Sequence, residues 1–264
     1  MGARSWQVAL GLVTITHLVA QLFGVTVLAE GTQVLLIPAL AGVVWSAGLL
    51  PARAWSTRVY ALALLLSWLG DSLPRLVDGE TSFIVMVALF LLAQVCFSAT
   101  YVLLVRSWPA VLVMAAYVLV FGTLYLLCAP GAGGLLPLVA AYGLLLVTAG
   151  ALSSTVSLIT GIGGAVFVAS DALIALNRFV GSYAVPQHDF LVMLTYIGAQ
   201  LLIAYGLLRR AQGGTRQHLA GPGQRVAGPA PTDRPGSEQP ANTPDAPPDR
   251  PSAEPGNRGA ERPA

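Results

Sequence analysis

Apolar residues run along this chain in long blocks separated by short polar or Pro/Gly-containing breaks. At about 20 apolar residues per crossing of a bilayer, the blocks predict eight helices, at residues 7–29, 33–50, 58–76, 82–105, 109–128, 134–153, 159–178 and 188–209. The punctuation agrees: Ser107 and Pro109 suit a helix start, Ala129-Pro130-Gly131 breaks the chain, and Tyr183 to Gln187 forms a Pro-containing turn. The first two helices are the least clearly separated. Arg4, the apolar run after it and Val27-Leu28-Ala29 imitate a secretory signal with a cleavage site. That run exceeds the roughly 7 to 15 residues of a signal's apolar region and further spans follow it, so it is expected to stay as the first helix.

Composition sharpens the picture. Of 264 residues, 55% are hydrophobic and 10% charged, against about 25% charged in a water-soluble domain, and the mean hydropathy is +0.71. These averages conceal a division near residue 212. From Gly213 to Ala264 there are 11 prolines, 8 glycines, six arginines, six acids and no aromatic residue, a composition too poor in apolar surface to offset the entropy of ordering. The expected organisation is an all-α polytopic membrane domain over 1–212 and a disordered tail over 213–264.

Every basic residue outside histidine is an arginine, 14 in all against 12 acids. The net charge of +2 gives no basic surface for nucleic acid, so the bilayer and not nucleic acid is the expected partner. With the N-terminus inside, Arg4, Arg53, Arg58, Arg106, Arg209 and Arg210 fall on the cytoplasmic side and only Arg75 and Arg178 opposite. Trp6, Trp55 and Trp108 also fall at the inner ends. This bias predicts a multi-pass protein of the cell membrane with both termini cytoplasmic. Cys96 and Cys128 lie inside apolar blocks, so neither a disulfide framework nor a thiolate metal site is expected.

Ionisable groups at membrane depth cost about 2.5 to 3.5 kcal/mol on insertion scales and so mark function. Two carboxylates qualify: Asp71 in the third helix, after Ser67-Trp68-Leu69-Gly70, and Asp171 in the seventh, after Phe167-Val168-Ala169-Ser170. Each falls about three residues past its helix midpoint, so the two are expected at one depth. The bland alternative is pairing with arginine, Asp71 with Arg75 four residues on and Asp171 with Arg178 seven on; only the first spacing suits a helix. His17, Gln21, Gln94, Tyr196 and Gln200 lie near the same depth. A lone histidine or glutamine there serves packing more often than chemistry, and no His-x3-His pair suggests a metal.

A parallel duplication would make this cluster systematic. Asp71 is followed in the next helix by Ala93-Gln94, and Asp171 by Ala199-Gln200. Two four-helix repeats about an axis along the membrane normal would set the aspartates face to face. Two motifs mislead. Gly70-Asp71-Ser72-Leu73 spells the GDSL esterase signature, but it closes an apolar helix and the chain lacks the Asp-x-x-His that those enzymes use. Gly161-Ile162-Gly163-Gly164 reads as small residues for close helix packing rather than a phosphate loop.

Three segments resemble the YhhN-type lysoplasmalogenases, polytopic proteins of about eight helices. Ser67-Trp68-Leu69-Gly70-Asp71 is similar to that family's Gly-Asp element. Gly164 to Asp171, with Ala175 and Phe179, resembles its Gly-Ala-x-x-Phe-x-x-Ser-Asp stretch, and Thr195 to Ile203 its final-helix Tyr-x-x-Ala-Gln-x-Leu-Ile. The fourth helix departs from the pattern: Gln94 and Phe97 stand where the family often has His and Tyr, and glutamine cannot take up a proton. The resemblance implies hydrolysis of the vinyl ether bond of a lysophospholipid-like substrate, without metal or cofactor.

Read independently, two aspartates in a low-dielectric site supply one protonated and one ionised carboxyl, the acid and base that such hydrolysis needs. Asp71 and Asp171 are then the catalytic pair, with Gln94, Tyr196, Gln200 and Ser170 positioning water and substrate and Arg75 and Arg178 as candidates for the head group. The competing readings are a proton-coupled transporter using the same acids and a noncatalytic lipid-binding protein, to which Gln94 and Phe97 point.

Overall fold

The computed structural model describes residues 2–49, 54–105 and 109–219, with side chains as far as residue 212. Arg53, Arg106, Ser107, Trp108, the His218 side chain and the expected tail from residue 220 onward lie outside the described residues. Within them the fold is entirely helical: α1 (Ala3–Leu22), α2 (Thr26–Ser46), α3 (Trp55–Ser72), α4 (Gly79–Leu103), α5 (Val111–Ala132), α6 (Leu136–Val156), α7 (Leu158–Phe179) and α8 (His188–Leu219). Short 3-10 turns follow α3 and α5, at Leu73–Leu76 and Gly133–Leu135.

Six stretches are long and apolar enough to cross a membrane. One of them, Val111–Val156, runs for 46 residues and contains both α5 and α6, which turn at Gly133 and pack against each other. The helix α3 is not among the six, because Arg58, Ser67 and Asp71 dilute its 18 residues.

Several boundaries differ from the expected ones for local reasons. The first turn falls at Gly24, whose φ of +69° suits glycine, and not near Gly31, so α1 ends at Leu22. Pro130 sits inside α5, and the break comes three residues later at Gly133, with φ +49°. At the C-terminal end, α8 continues to Leu219, beyond the expected end at 209 and into the segment assigned to the tail.

The surface is apolar and the interior holds polar groups, the reverse of a soluble protein. Val8, Leu12, Ile15 and Val19 form an exposed stripe on α1, and Val111, Leu112, Val118, Leu119 and Leu126 are exposed on α5. Such contiguous apolar faces require a partner or a lipid phase. Inside, Ser67, Thr100 and Ser153 satisfy their hydroxyls on carbonyls three or four residues back in their own helices. His17 is wholly buried and its Nδ1 meets the Ala29 carbonyl and Thr32 Oγ1, both at 3.0 Å, tying α1 to α2 as a packing residue.

Close packing of α7 is set by its glycines. A Cβ on Gly163 would lie 2.9 Å from Ile203 Cγ1 and 3.0 Å from the Ile203 backbone nitrogen on α8, and Gly164 meets Ser153 and Gly150 on α6. The Gly-Ile-Gly-Gly segment is therefore part of α7, with Gly163 and Gly164 buried for close packing as its small residues imply. Both α3 with α4 and α7 with α8 form closely packed pairs. The remaining contacts do not follow a twofold: α5 packs on α7 while α1 and α3 do not touch, and α4 packs broadly on α6 while α8 meets α2 only narrowly. The expected two-repeat architecture is not reproduced in the packing.

Candidate active site

Asp71 and Asp171 are 9% and 8% exposed and line one cavity of about 350 Å³. They reach it from different helical positions. Asp171 stands on α7 with two further turns of helix after it, whereas Asp71 is the last residue but one of α3. The expectation that each lies three residues past its helix midpoint therefore fails for Asp71, because α3 gives way to a 3-10 turn at Leu73. What unites the acids is the shared chamber.

That turn also decides the arginine question. It carries Arg75 off the helical i+4 position, and Arg75 Nη2 donates to Gln33 Oε1 at 2.6 Å. Arg178 lies over the Phe83 ring, 5.2 Å from its centroid. Neither arginine lines the cavity, although Gln33 and Phe83 do. The aspartates have tyrosine partners in their place.

Tyr196 Oη donates to Asp71 Oδ2 at 2.8 Å, joining α8 to α3. Tyr142 Oη donates to Asp171 Oδ2, joining α6 to α7. A hydroxyl held on a buried carboxylate fixes its rotamer and compensates part of its desolvation. The Tyr196 ring is held in turn by edge contacts with Phe90 and Phe167, at centroid distances of 5.9 and 5.7 Å. Gly70 makes room for Phe90, whose ring lies 2.8 Å from where a Cβ would stand.

Behind the tyrosines lie the two glutamines. Gln200 is 2% exposed, lies within electrostatic reach of the Tyr196 hydroxyl, and has no protein hydrogen-bond partner for either amide atom. Gln94 is buried beside Tyr142, with Nε2 unpartnered. Buried amides of this kind call for an explanation, and each stands beside a tyrosine that bonds a carboxylate. Ser170 lines the cavity but its Oγ is committed to the Val192 carbonyl at 3.0 Å, so it fastens α7 to α8.

The cavity therefore collects Asp71, Asp171, Tyr196 and Ser170 directly, with Gln94 and Gln200 behind them and Arg75 and Arg178 outside. It also contains residues absent from the sequence-based set. Tyr142 is the principal one, and its signal was present: it is the sole aromatic residue in the sixth apolar block. His188 and Asp189, at the start of α8, line the chamber together with Gln33, and Gln21, expected near the depth of the acids, lines it too. Apolar side chains including Met86, Val87, Ile174 and Met193 complete the wall. No group of three or more His, Cys, Asp or Glu able to hold a metal occurs among the described residues.

A chamber with paired carboxylates, enclosed by apolar helices, defines a polytopic membrane protein with a buried acid pair. The model of the YhhN family matches residues 28–207, and the chain belongs to that family of lysoplasmalogenase-type membrane proteins. Every residue named in the chamber except Gln21 lies inside the matched segment. No curated protein and no solved structure matches the chain.

Proposed function

We propose that this protein is a lipid hydrolase that cleaves the vinyl ether bond of lysoplasmalogens, releasing a fatty aldehyde and a glycerophospho-alcohol. The observation that carries the reading is the shared chamber, where Asp71 and Asp171 each accept a tyrosine hydroxyl.

The chemistry needs an acid and a base at once. One protonated carboxyl transfers its proton to the vinyl carbon distal to oxygen, and the double bond becomes an oxocarbenium ion. The other, ionised carboxylate takes a proton from water as its oxygen bonds to the cationic carbon, giving a hemiacetal. The first carboxylate then accepts the hemiacetal hydroxyl proton while the second carboxyl protonates the glyceryl oxygen, and the carbon–oxygen bond breaks. One water is consumed, and the pair returns to its starting protonation.

In this reading Tyr142 and Tyr196 hold the carboxylates in position, and Gln94 and Gln200, buried behind those tyrosines, position the water through them. Arg75 and Arg178, which contact the wall residues Gln33 and Phe83, are the candidates for the phosphate of the head group. The reading includes eight crossings of the cell membrane, with α3 as one of them, and both termini cytoplasmic on the arginine bias.

Purified protein in liposomes tests this against transport by the same acids. Release of fatty aldehyde from a lysoplasmalogen without substrate-driven proton movement is the expected result. Proton flux with no aldehyde would favour a transporter.

A further inference from the structure

A hydrolase acting on a single-chain lipid must place the hydrocarbon chain as well as the bond, and the main chamber is not the only space that Asp171 borders. A narrow apolar cleft of about 50 Å³ lies between α5, α6 and α7, and Tyr142, Asp171, Val139 and Ala175 line both it and the main chamber. Beyond the cleft a third space, of about 590 Å³, runs between α5 and α7. It shares Leu124 and Ala172 with the cleft. The three spaces thus adjoin in series, chamber and cleft across Tyr142 and Asp171, cleft and groove across Leu124 and Ala172.

The lining changes along the series. The main chamber carries the acids and rim groups, whereas Asp171 is the only charged residue of the cleft and the groove has none. Small residues open the way. Gly143 faces the Phe121 ring, where a Cβ would come within 3.3 Å, and Ala116, Ala165, Ala169 and Ala172 line the groove. Its wall on α5 extends from Ala116 to Leu124, about 12 Å at 1.5 Å per residue. The helix α5 suits a movable wall: its only buried residues are Cys128 and Ala132, and it packs on α6 and α7 but on none of α1 to α4 or α8.

We propose that the hydrocarbon chain of the substrate leaves the aspartate pair through the neck at Tyr142 and Gly143 and lies in the groove between α5 and α7. The head group stays in the main chamber near His188 and Asp189, so the scissile bond is drawn to the junction where Asp171 stands. This assignment rests on the hydrolase reading for the identity of the lipid, while the groove as an alkyl-chain site can be tested without turnover.

The first arm uses a lysophospholipid with a saturated alkyl ether chain that carries a terminal diazirine. It has no vinyl group to protonate, so labelling reports binding alone. Crosslinks at α5 residues 116–124 and α7 residues 165–172, displaced by excess unlabelled lysolipid, are expected. Labelling elsewhere, or labelling that unlabelled lysolipid does not displace, as for bulk lipid on any outer face, overturns the proposal. The second arm uses Ala169→Phe, at an exposed helix position. Aldehyde release from long-chain lysoplasmalogen should fall at least about tenfold while a short-chain vinyl ether analogue is spared; equal effects on both overturn it. If the wild-type protein releases no aldehyde from either, the hydrolase reading fails and the labelling arm alone decides the groove.

Discussion

Replacing Tyr142 by Phe removes one oxygen atom and leaves the ring packed in α6. The hydroxyl lost is the donor that Asp171 Oδ2 accepts, at a carboxyl only 8% exposed. A hydrogen bond to a charged group contributes about 1.5 to 3 kcal/mol. At 1.36 kcal/mol per factor of ten in rate, that is a fall of about 10- to 150-fold if the bond is needed to hold the carboxylate for reaction. The assay is aldehyde release by detergent-purified protein at saturating and limiting substrate. The loss should appear mainly in kcat, because the hydroxyl positions the acid and does not form the main contact with the lipid. A thermal-unfolding scan separates this from misfolding. A folded Tyr142→Phe protein with wild-type kcat would refute the argument that the tyrosine positions Asp171.

Tyr196→Phe should show a loss of the same order through Asp71, since its bond of 2.8 Å is the counterpart. The wild-type pH–rate profile of kcat should be bell-shaped, with an acid and a base limb, and any residual activity of Asp71→Asn or Asp171→Asn should lack one limb. Gly163→Leu should lower stability by about 1 to 3 kcal/mol, read as a fall in Tm, because its side chain would enter the α8 backbone at Ile203. His17→Ala should also lower Tm, by loss of the bonds to Ala29 and Thr32, yet leave kcat near the wild-type value.

Much of the helical framework was legible because the apolar blocks are long and a bilayer demands internally satisfied backbone. Turns were less legible. Pro130 looked like a break, but a transmembrane helix tolerates proline, and the conformation that stops α5 belongs to Gly133. The aspartates were conspicuous because charge is rare in the membrane part. Of their two tyrosine partners Tyr196 stood out at the same depth, but Tyr142 did not: it lies 29 residues before Asp171, carries no charge, and only the meeting of α6 with α7 gives it a role. The Asp71–Arg75 spacing suggested an ion pair on a continuous helix, and the 3-10 turn that removes it is a tertiary feature invisible to periodicity. The duplication read from Asp and Gln spacing predicted facing acids, and the acids do share a cavity, but the unequal packing of α1 and α5 does not support the symmetry that suggested it.

The central claim is that Asp71 and Asp171 together protonate and hydrate a vinyl ether. Its most direct test is mass spectrometry of the aldehyde formed in heavy water by the purified wild-type, Asp71→Asn and Asp171→Asn proteins, trapped as it is released. One deuterium on the carbon next to the carbonyl is expected in the wild-type product, and no product from either folded variant. Aldehyde without solvent deuterium, or wild-type turnover by either variant, would contradict it.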